Sequence, residues 1–145
     1  MLMNEFGPDF VKLDLQATTQ DAAILEVAEL LQLHPDMLDF GRFCEAVLER
    51  EKLSSTVAGD GVAFPHARTK AVRNILVSMG RSKEGVPFGP DGIPVHFVVV
   101  IGVPKSMVRE YLGVVGRLAR LFREEGIRAG LLEARNAGEF TSCLR

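Results

Sequence analysis

The stretch VHFVVVIGV, residues 95–103, decides how this chain is put together. Its β-branched residues run without alternation, so the strand they form is covered on both faces. A strand of that kind lies at the centre of a sheet with helices on either side. Pro104 ends it, because proline has no N–H to give to the ladder. Downstream, the spacing predicts a long helix capped by Ser106 and running through Glu125. Its inward residues are Val108, Leu112, Val115, Ala119 and Phe122, and Gly126 is placed to stop it. Two short helices, near residues 128–134 and 138–144, finish the chain.

Upstream, GVPFGPDGIP (residues 85–94) carries three prolines and three glycines and reads as a surface loop. NILVSMGRS (residues 74–82) reads as a strand, and residues 62–64 as a short one. Two helices come earlier. The first, residues 19–33, starts at the N-cap candidate Thr19 with Asp21 in its first turn, and repeats Ile24, Val27, Ala28 and Leu31 at helical spacing. HPD, residues 34–36, breaks it. The second, residues 39–52, has the apolar stripe Phe40, Phe43, Cys44, Val47 and Leu48. This order predicts an α/β (α+β) fold, a mixed sheet flanked by helices on both faces, as a single domain over residues 1–145.

Composition narrows the function classes. The 145 residues are 47% hydrophobic and 25% charged, with a net charge of −2. Nothing in that balance calls for a nucleic-acid or membrane-surface partner. The longest apolar run, residues 97–103, is too short to cross a bilayer. The opening MLMNEFGPDF has neither the basic region nor the apolar core of a secretion signal. Cys44 and Cys143 are far apart, form no metal-spacing motif, and Cys44 reads as a buried free thiol. These features suit the cytoplasm. Walker, GxGxxG, HExxH and CxxC patterns are absent, and no metal or organic cofactor is implied.

Three histidines remain. His34 reads as a solvated turn residue and His96 as structural, since it opens the most apolar strand. His66 differs, lying in GDGVAFPHARTKAV, residues 59–72. Pro65 has a fixed φ and keeps Phe64 out of helix, so the imidazole leaves a stiff strand end. Gly59, Gly61 and Ala67 leave space around it. A neutral imidazole is a good nucleophile near pH 7. Arg68 next door and Arg50 at the end of the second helix offer the planar fork that suits phosphate, and Ser54, Ser55 and Thr56 offer hydroxyls. From the residues alone, an ordinary proline-histidine turn followed by cations remains open.

AVLEREKLSSTVAGDGVAFPHAR, residues 46–68, resembles the signature of the fructose/mannitol-type enzyme IIA domains of the bacterial sugar phosphotransferase system, which the nitrogen-regulatory enzyme IIA proteins share. GVPFGPDGIPVHFVVVIGVP (residues 85–104) is similar to that family's loop and central strand. YLGVVGRLARLFREEGIRAGLLEA (residues 111–134) is similar to its following helix. The likeness runs in the right order over nearly the whole chain. It implies that His66 accepts a phosphoryl group from HPr or a relative of it, and passes the group to an enzyme IIB or holds it as a signal. It also implies that Arg50 binds phosphoryl oxygens.

One departure stands out. Where family members often carry a second histidine, this chain has Tyr111. Its hydroxyl can donate to a phosphoryl oxygen, yet it does not become cationic at neutral pH, and packing on the helix is an equal reading. Arg68, Ser55 and Thr56 are further candidates for support of the phosphoryl site.

Transfer between two proteins needs an exposed acceptor in a water-excluding apolar rim. Phe64 and the segment 86–88 are candidates for the rim, and Val62 reads as core. Arg109, Arg117, Arg120 and Arg123 on the third helix form either a solvated face or a contact for an acidic partner. Three functions stay open: a carrier in a sugar relay, a regulatory protein of the same fold, and a degenerate member that binds without chemistry. The wording FGPDGIPVHFVVV is closer to the fructose-type branch, the intact FPHAR opposes the degenerate reading, and Tyr111 favours it.

Overall fold

A computed structural model describes residues 7–145. The N-terminal stretch read above for a secretion signal begins outside these residues. Six strands form one mixed sheet. They are β1 (Val11–Lys12), β2 (Val57–Gly59), β3 (Val62–Ala63), β4 (His66–Arg68), β5 (Leu76–Phe88) and β6 (Ile93–Val103). Five α-helices accompany them: α1 (Gln20–Ala28), α2 (Phe40–Leu53), α3 (Val108–Arg123), α4 (Glu125–Glu133) and α5 (Ala137–Ser142). No helix of the described residues is long and apolar enough to cross a membrane.

The β-branched run is the sheet's centre, as its composition requires. β6 pairs antiparallel with β5 on one side and parallel with both β3 and β4 on the other. Its side chains split between two cores. Phe97, Val99, Ile101 and Val103 face α3, α4 and α5. Val98 and Val100 face α1 and α2. Gly102 lies on the second face, where a Cβ would come within 2.8 Å of Phe43 Cε1 and 3.1 Å of Val72 Cγ1. The missing side chain lets α2 settle on the sheet.

β3 and β4 run along the same side of β6, interrupted at Phe64 and Pro65. Val62 pairs with Phe97 and Ala63 with Val98; the pairing then resumes with His66 opposite Ile101 and Arg68 opposite Val103. Pro65 donates nothing to the ladder, although its carbonyl still accepts from Ile101 N at 3.0 Å. Phe64 turns its backbone the other way, its N–H donating to the Thr56 carbonyl.

Several expectations need correction. Residues 85–94 are not a surface loop: β5 continues to Phe88 and β6 starts at Ile93, leaving a tight turn at residues 89–92. Pro87 and Pro94 lie directly opposite each other. Neither can donate, so the pair is one of the non-hydrogen-bonded positions that an antiparallel ladder contains anyway. Val86 and Phe88 are buried against α1 and α2, and Val62 and Phe64 in the other core, so neither Phe64 nor segment 86–88 forms a rim.

The first helix tightens into a 3-10 turn, Glu29–Leu31, and its N-cap Thr19 accepts through its backbone rather than its side chain. α2 is capped by Asp39 Oδ1, which accepts from Arg42 N at 3.1 Å. α3 starts after Met107, leaving Ser106 outside the cap. Val114, Leu118 and Phe122 are its buried residues, while Leu112 is 59% exposed. Of the expected inward residues, Phe122 is buried and Val115 and Ala119 are partly buried against the same core. Phe122 anchors the face by packing against Phe64 and Phe97, with Val114 and Leu118 on the same stripe. The helix ends at Glu124, in extended backbone, and Gly126 lies inside α4. Arg128 Nη1 donates to the Phe122 carbonyl at 2.7 Å and closes the α3 terminus.

Candidate active site

α2 ends beside β4, and its last turn carries Arg50 and Glu51. Arg50 Nη1 donates to the Ser54 carbonyl at 3.0 Å, a cation at the negative end of the helix dipole. Glu51, one residue on, turns to the inside and is only 4% exposed. Its carboxylate accepts from Thr56 N at 2.8 Å and from the Thr56 hydroxyl at 2.7 Å. Two hydrogen bonds to the charged form are what such burial requires.

Those contacts lead on to His66. The Thr56 carbonyl accepts from Phe64 N at 3.1 Å. The Phe64 carbonyl lies 2.9 Å from His66 Nδ1. A carbonyl can only accept, so Nδ1 carries the hydrogen and Nε2 keeps its lone pair. Glu51, Thr56, Phe64 and His66 thus form one line of support from the helix end to the imidazole. Glu51 was not among the residues singled out in the sequence. The only signal for it is its position beside Arg50 in the ERE triplet.

His66 and Arg68 share the sheet face of Ile101 and Val103. His66 is half-buried and Arg68 exposed. Tyr111 comes from the other side, on α3, its ring centroid 5.4 Å from that of His66 with the planes inclined at 34°. Burial pushes the His66 imidazole below its ordinary value, and the positive charge of Arg50 acts in the same direction. The hydrogen bond to Phe64 and the Glu51 carboxylate pull the other way without reversing it. Burial also pushes the Tyr111 phenol up, with Arg50 opposing. The site is therefore a neutral imidazole with a free Nε2, a neutral phenol and a guanidinium whose charge reaches both.

The remaining candidates sit elsewhere. The Thr56 hydroxyl is committed to Glu51. Ser55 Oγ accepts from Val57 N at 3.3 Å and stands against Gly89, in the turn between β5 and β6. Two of the residues expected to clear space for His66 lie elsewhere. Gly61 borders His96, and Ala67 is buried on the opposite face. His96 is structural, its Nδ1 bonded to the Ser82 carbonyl at 2.9 Å. His34 is not simply solvated: its Nδ1 accepts from Asp36 N, and its ring packs 5.3 Å from Phe10. Cys44 is a free, half-buried thiol. Among the described residues, no group of three or more His, Cys, Asp or Glu side chains is arranged to hold a metal ion.

Residues 5–145 match the family model of the phosphoenolpyruvate-dependent sugar phosphotransferase system, EIIA 2. The chain belongs to that family. It is thereby a phosphotransferase component of enzyme IIA type. It is 37% identical over 125 residues, 86% of its length, to the PTS system fructose-specific EIIABC component of Bacillus subtilis, of which it spans 20%. Its fold is similar to nitrogen regulatory protein IIA-Ntr from Neisseria meningitidis, with a TM-score of 0.88 and 31% identity over 98% of this chain and 97% of that one. It is similar also to the enzyme IIA of the Escherichia coli complex of enzyme IIAMTL with phosphorylated enzyme IIBMTL, with a TM-score of 0.81 and 25% identity over 96% of each chain.

The depressed imidazole has a consequence for rate. Protonation of Nε2 removes the nucleophile, and the folded protein resists it. Any reaction at Nε2 will hold its rate as pH falls through 6.5, the ordinary value, and decline only below it. A single-turnover pH profile, corrected for the donor's own titration, checks this; a midpoint at or above 6.5 contradicts it. The same shift makes the unfolded chain bind more protons below pH 6.5, so this group's contribution to stability is lost on the acid side.

Proposed function

We propose that this enzyme IIA is a phosphocarrier that accepts a phosphoryl group on Nε2 of His66 from an HPr-like donor and passes it to an enzyme IIB. The observation that carries this reading is the bond from His66 Nδ1 to the Phe64 carbonyl. It holds the proton at Nδ1 and presents the lone pair of Nε2. In the transfer step that lone pair forms the Nε2–P bond while the donor's N–P bond breaks. The donor nitrogen leaves with the bonding pair. No proton leaves His66, so its ring becomes cationic, and Phe64 continues to accept from it. Passing the group on reverses these changes against the next acceptor.

Arg50 supplies the charge stabilisation such a transfer needs, because its guanidinium offers parallel donors to phosphoryl oxygens. Arg68, on the same face as His66, is a second cation within the surface a partner would cover. The phosphorylated enzyme IIB bound to the Escherichia coli relative supports the onward step. The fructose-specific relative from Bacillus subtilis supports a sugar relay. The similarity to IIA-Ntr supports a second reading, in which the phosphorylation of His66 is a signal read by a regulatory partner. We further propose that residues 1–145 act as one unit in the cytoplasm; both cysteines are free, as suits a reducing compartment.

The test is intact mass after incubation with phosphoenolpyruvate, enzyme I and HPr. We expect a gain of one acid-labile phosphoryl group. No gain with donors proven active would overturn the carrier reading in favour of a binding-only protein. Arg50→Ala is expected to slow acceptance by on the order of a hundredfold, the effect of losing one organised donor, while the protein stays folded with only a small fall in melting temperature from the lost bond to Ser54. An unchanged rate removes Arg50 from the site.

A further inference from the structure

Phosphorylation changes the charge of the His66 ring, and one neighbour responds to that charge through its ring face. The Tyr111 ring lies beside the imidazole in a tilted pair, with centroids 5.4 Å apart and planes inclined at 34°. Both rings are half-buried, so water competes weakly for the contact. An aromatic face attracts a cation lying within about 6 Å of its centroid and does little for a neutral ring. Before transfer His66 is neutral; with the phosphoryl group on Nε2 and the proton on Nδ1, it is cationic.

Of the other charged groups acting on His66, only Glu51 favours the cationic ring. Arg50, from α2, opposes a cationic ring, and burial opposes it more strongly. Glu51, also from α2, favours it, yet its carboxylate is engaged with Thr56. Arg68, on β4, adds a like charge on the same face. The phenol itself carries no charge where His66 works, because burial pushes its pKa above the ordinary value.

We propose that Tyr111 is the aromatic platform that stabilises the cationic ring of phosphorylated His66, and so sets how far the phosphoryl equilibrium lies toward this protein. This rests on His66 as the acceptor. It assigns Tyr111 a role through its ring face rather than its hydroxyl.

Two variants separate the parts. Tyr111→Phe keeps the face and loses the hydroxyl; Tyr111→Leu keeps apolar bulk and loses the face. Each is first confirmed as folded by its circular dichroism and melting transition. The first readout is the phosphorylated fraction at equilibrium against set ratios of phosphorylated to free HPr. The second is the NMR titration of the unphosphorylated His66 ring, which reports the protonated cation without any transfer.

Tyr111→Phe is expected to match the wild type on both readouts. Tyr111→Leu is expected to shift the equilibrium toward the donor by about threefold to tenfold and to lower the titration midpoint of His66. A Leu variant that matches the wild type, or a Phe variant that behaves like the Leu variant, overturns the proposal. If the wild type takes up no phosphoryl group, the carrier reading fails separately. The titration then still decides the platform: a Leu midpoint at or above that of the Phe variant overturns it.

Discussion

Replacing Arg81 with methionine will lower the unfolding free energy by about 3–5 kcal/mol, the range expected when buried acceptors lose a charged partner. Arg81 lies on β5 and is 3% exposed. Its Nε donates to the Leu13 carbonyl at 3.0 Å. Its Nη1 donates to the carbonyls of Leu131 at 2.8 Å and Ala134 at 2.7 Å, with Leu132 at 3.3 Å. These last three lie at the end of α4, where carbonyls have no partners of their own and the dipole is negative. One guanidinium therefore joins the sheet, the segment after β1 and the C-terminal helices.

The contact with Asp14 adds little: the separation is 3.8 Å and the carboxylate is 79% exposed. Methionine matches much of the arginine stem, so the loss measures the hydrogen bonds more than a cavity. A buried ion pair can be exchanged for apolar residues at little cost because both charges go. Here the acceptors are main-chain carbonyls and remain behind unpaired. Arg81→Lys keeps the charge but not the fork, and will fall between the two. Urea unfolding checks the series; a methionine variant within about 1 kcal/mol of wild type would contradict this reading of Arg81.

His66→Ala will abolish phosphoryl acceptance while leaving the fold intact. The side chain is half-buried at the edge of the sheet, and its one hydrogen bond is to a neighbouring carbonyl. Its removal leaves the Phe64 carbonyl to nearby water and opens no deep cavity, so stability should change by roughly 1 kcal/mol. Catalysis has no substitute. Arg50, Thr56 and Tyr111 bring charge, support and an aromatic face, and none is a neutral nitrogen nucleophile at neutral pH. Intact mass after incubation with active donors, paired with a thermal melt, checks both halves. Label persisting in the variant would place the acceptor elsewhere.

Much of this arrangement is legible in the sequence because local rules and tertiary need agree there. The β-branched run at 95–103 demands two covered faces and receives them. Pro65 before His66 demands non-helical backbone at Phe64, and in the extended chain that results the Phe64 carbonyl meets the His66 ring. Other features depend on contacts that no local pattern encodes. Pro87 and Pro94 suggest a loop until they are seen opposite each other, where neither needs an N–H. On α3 the inward place of Phe122 is legible, but the apolar pattern does not tell the exposed Leu112 from the buried Val114 and Leu118. Glu51 is an acidic residue near the end of a polar helix turn until Thr56 folds back onto it. Arg81 takes its partners from main-chain carbonyls some 50 or more residues away, and carbonyls leave no trace in residue type.

The central claim is that Nε2 of His66 is the reacting atom, because Nδ1 is held by Phe64. The direct measurement is a 15N NMR spectrum of the phosphorylated protein with labelled histidine, in which phosphorus coupling identifies the modified ring nitrogen. The account predicts coupling at Nε2 of His66, with Nδ1 still protonated. Coupling at Nδ1, or at a ring other than His66, would contradict it.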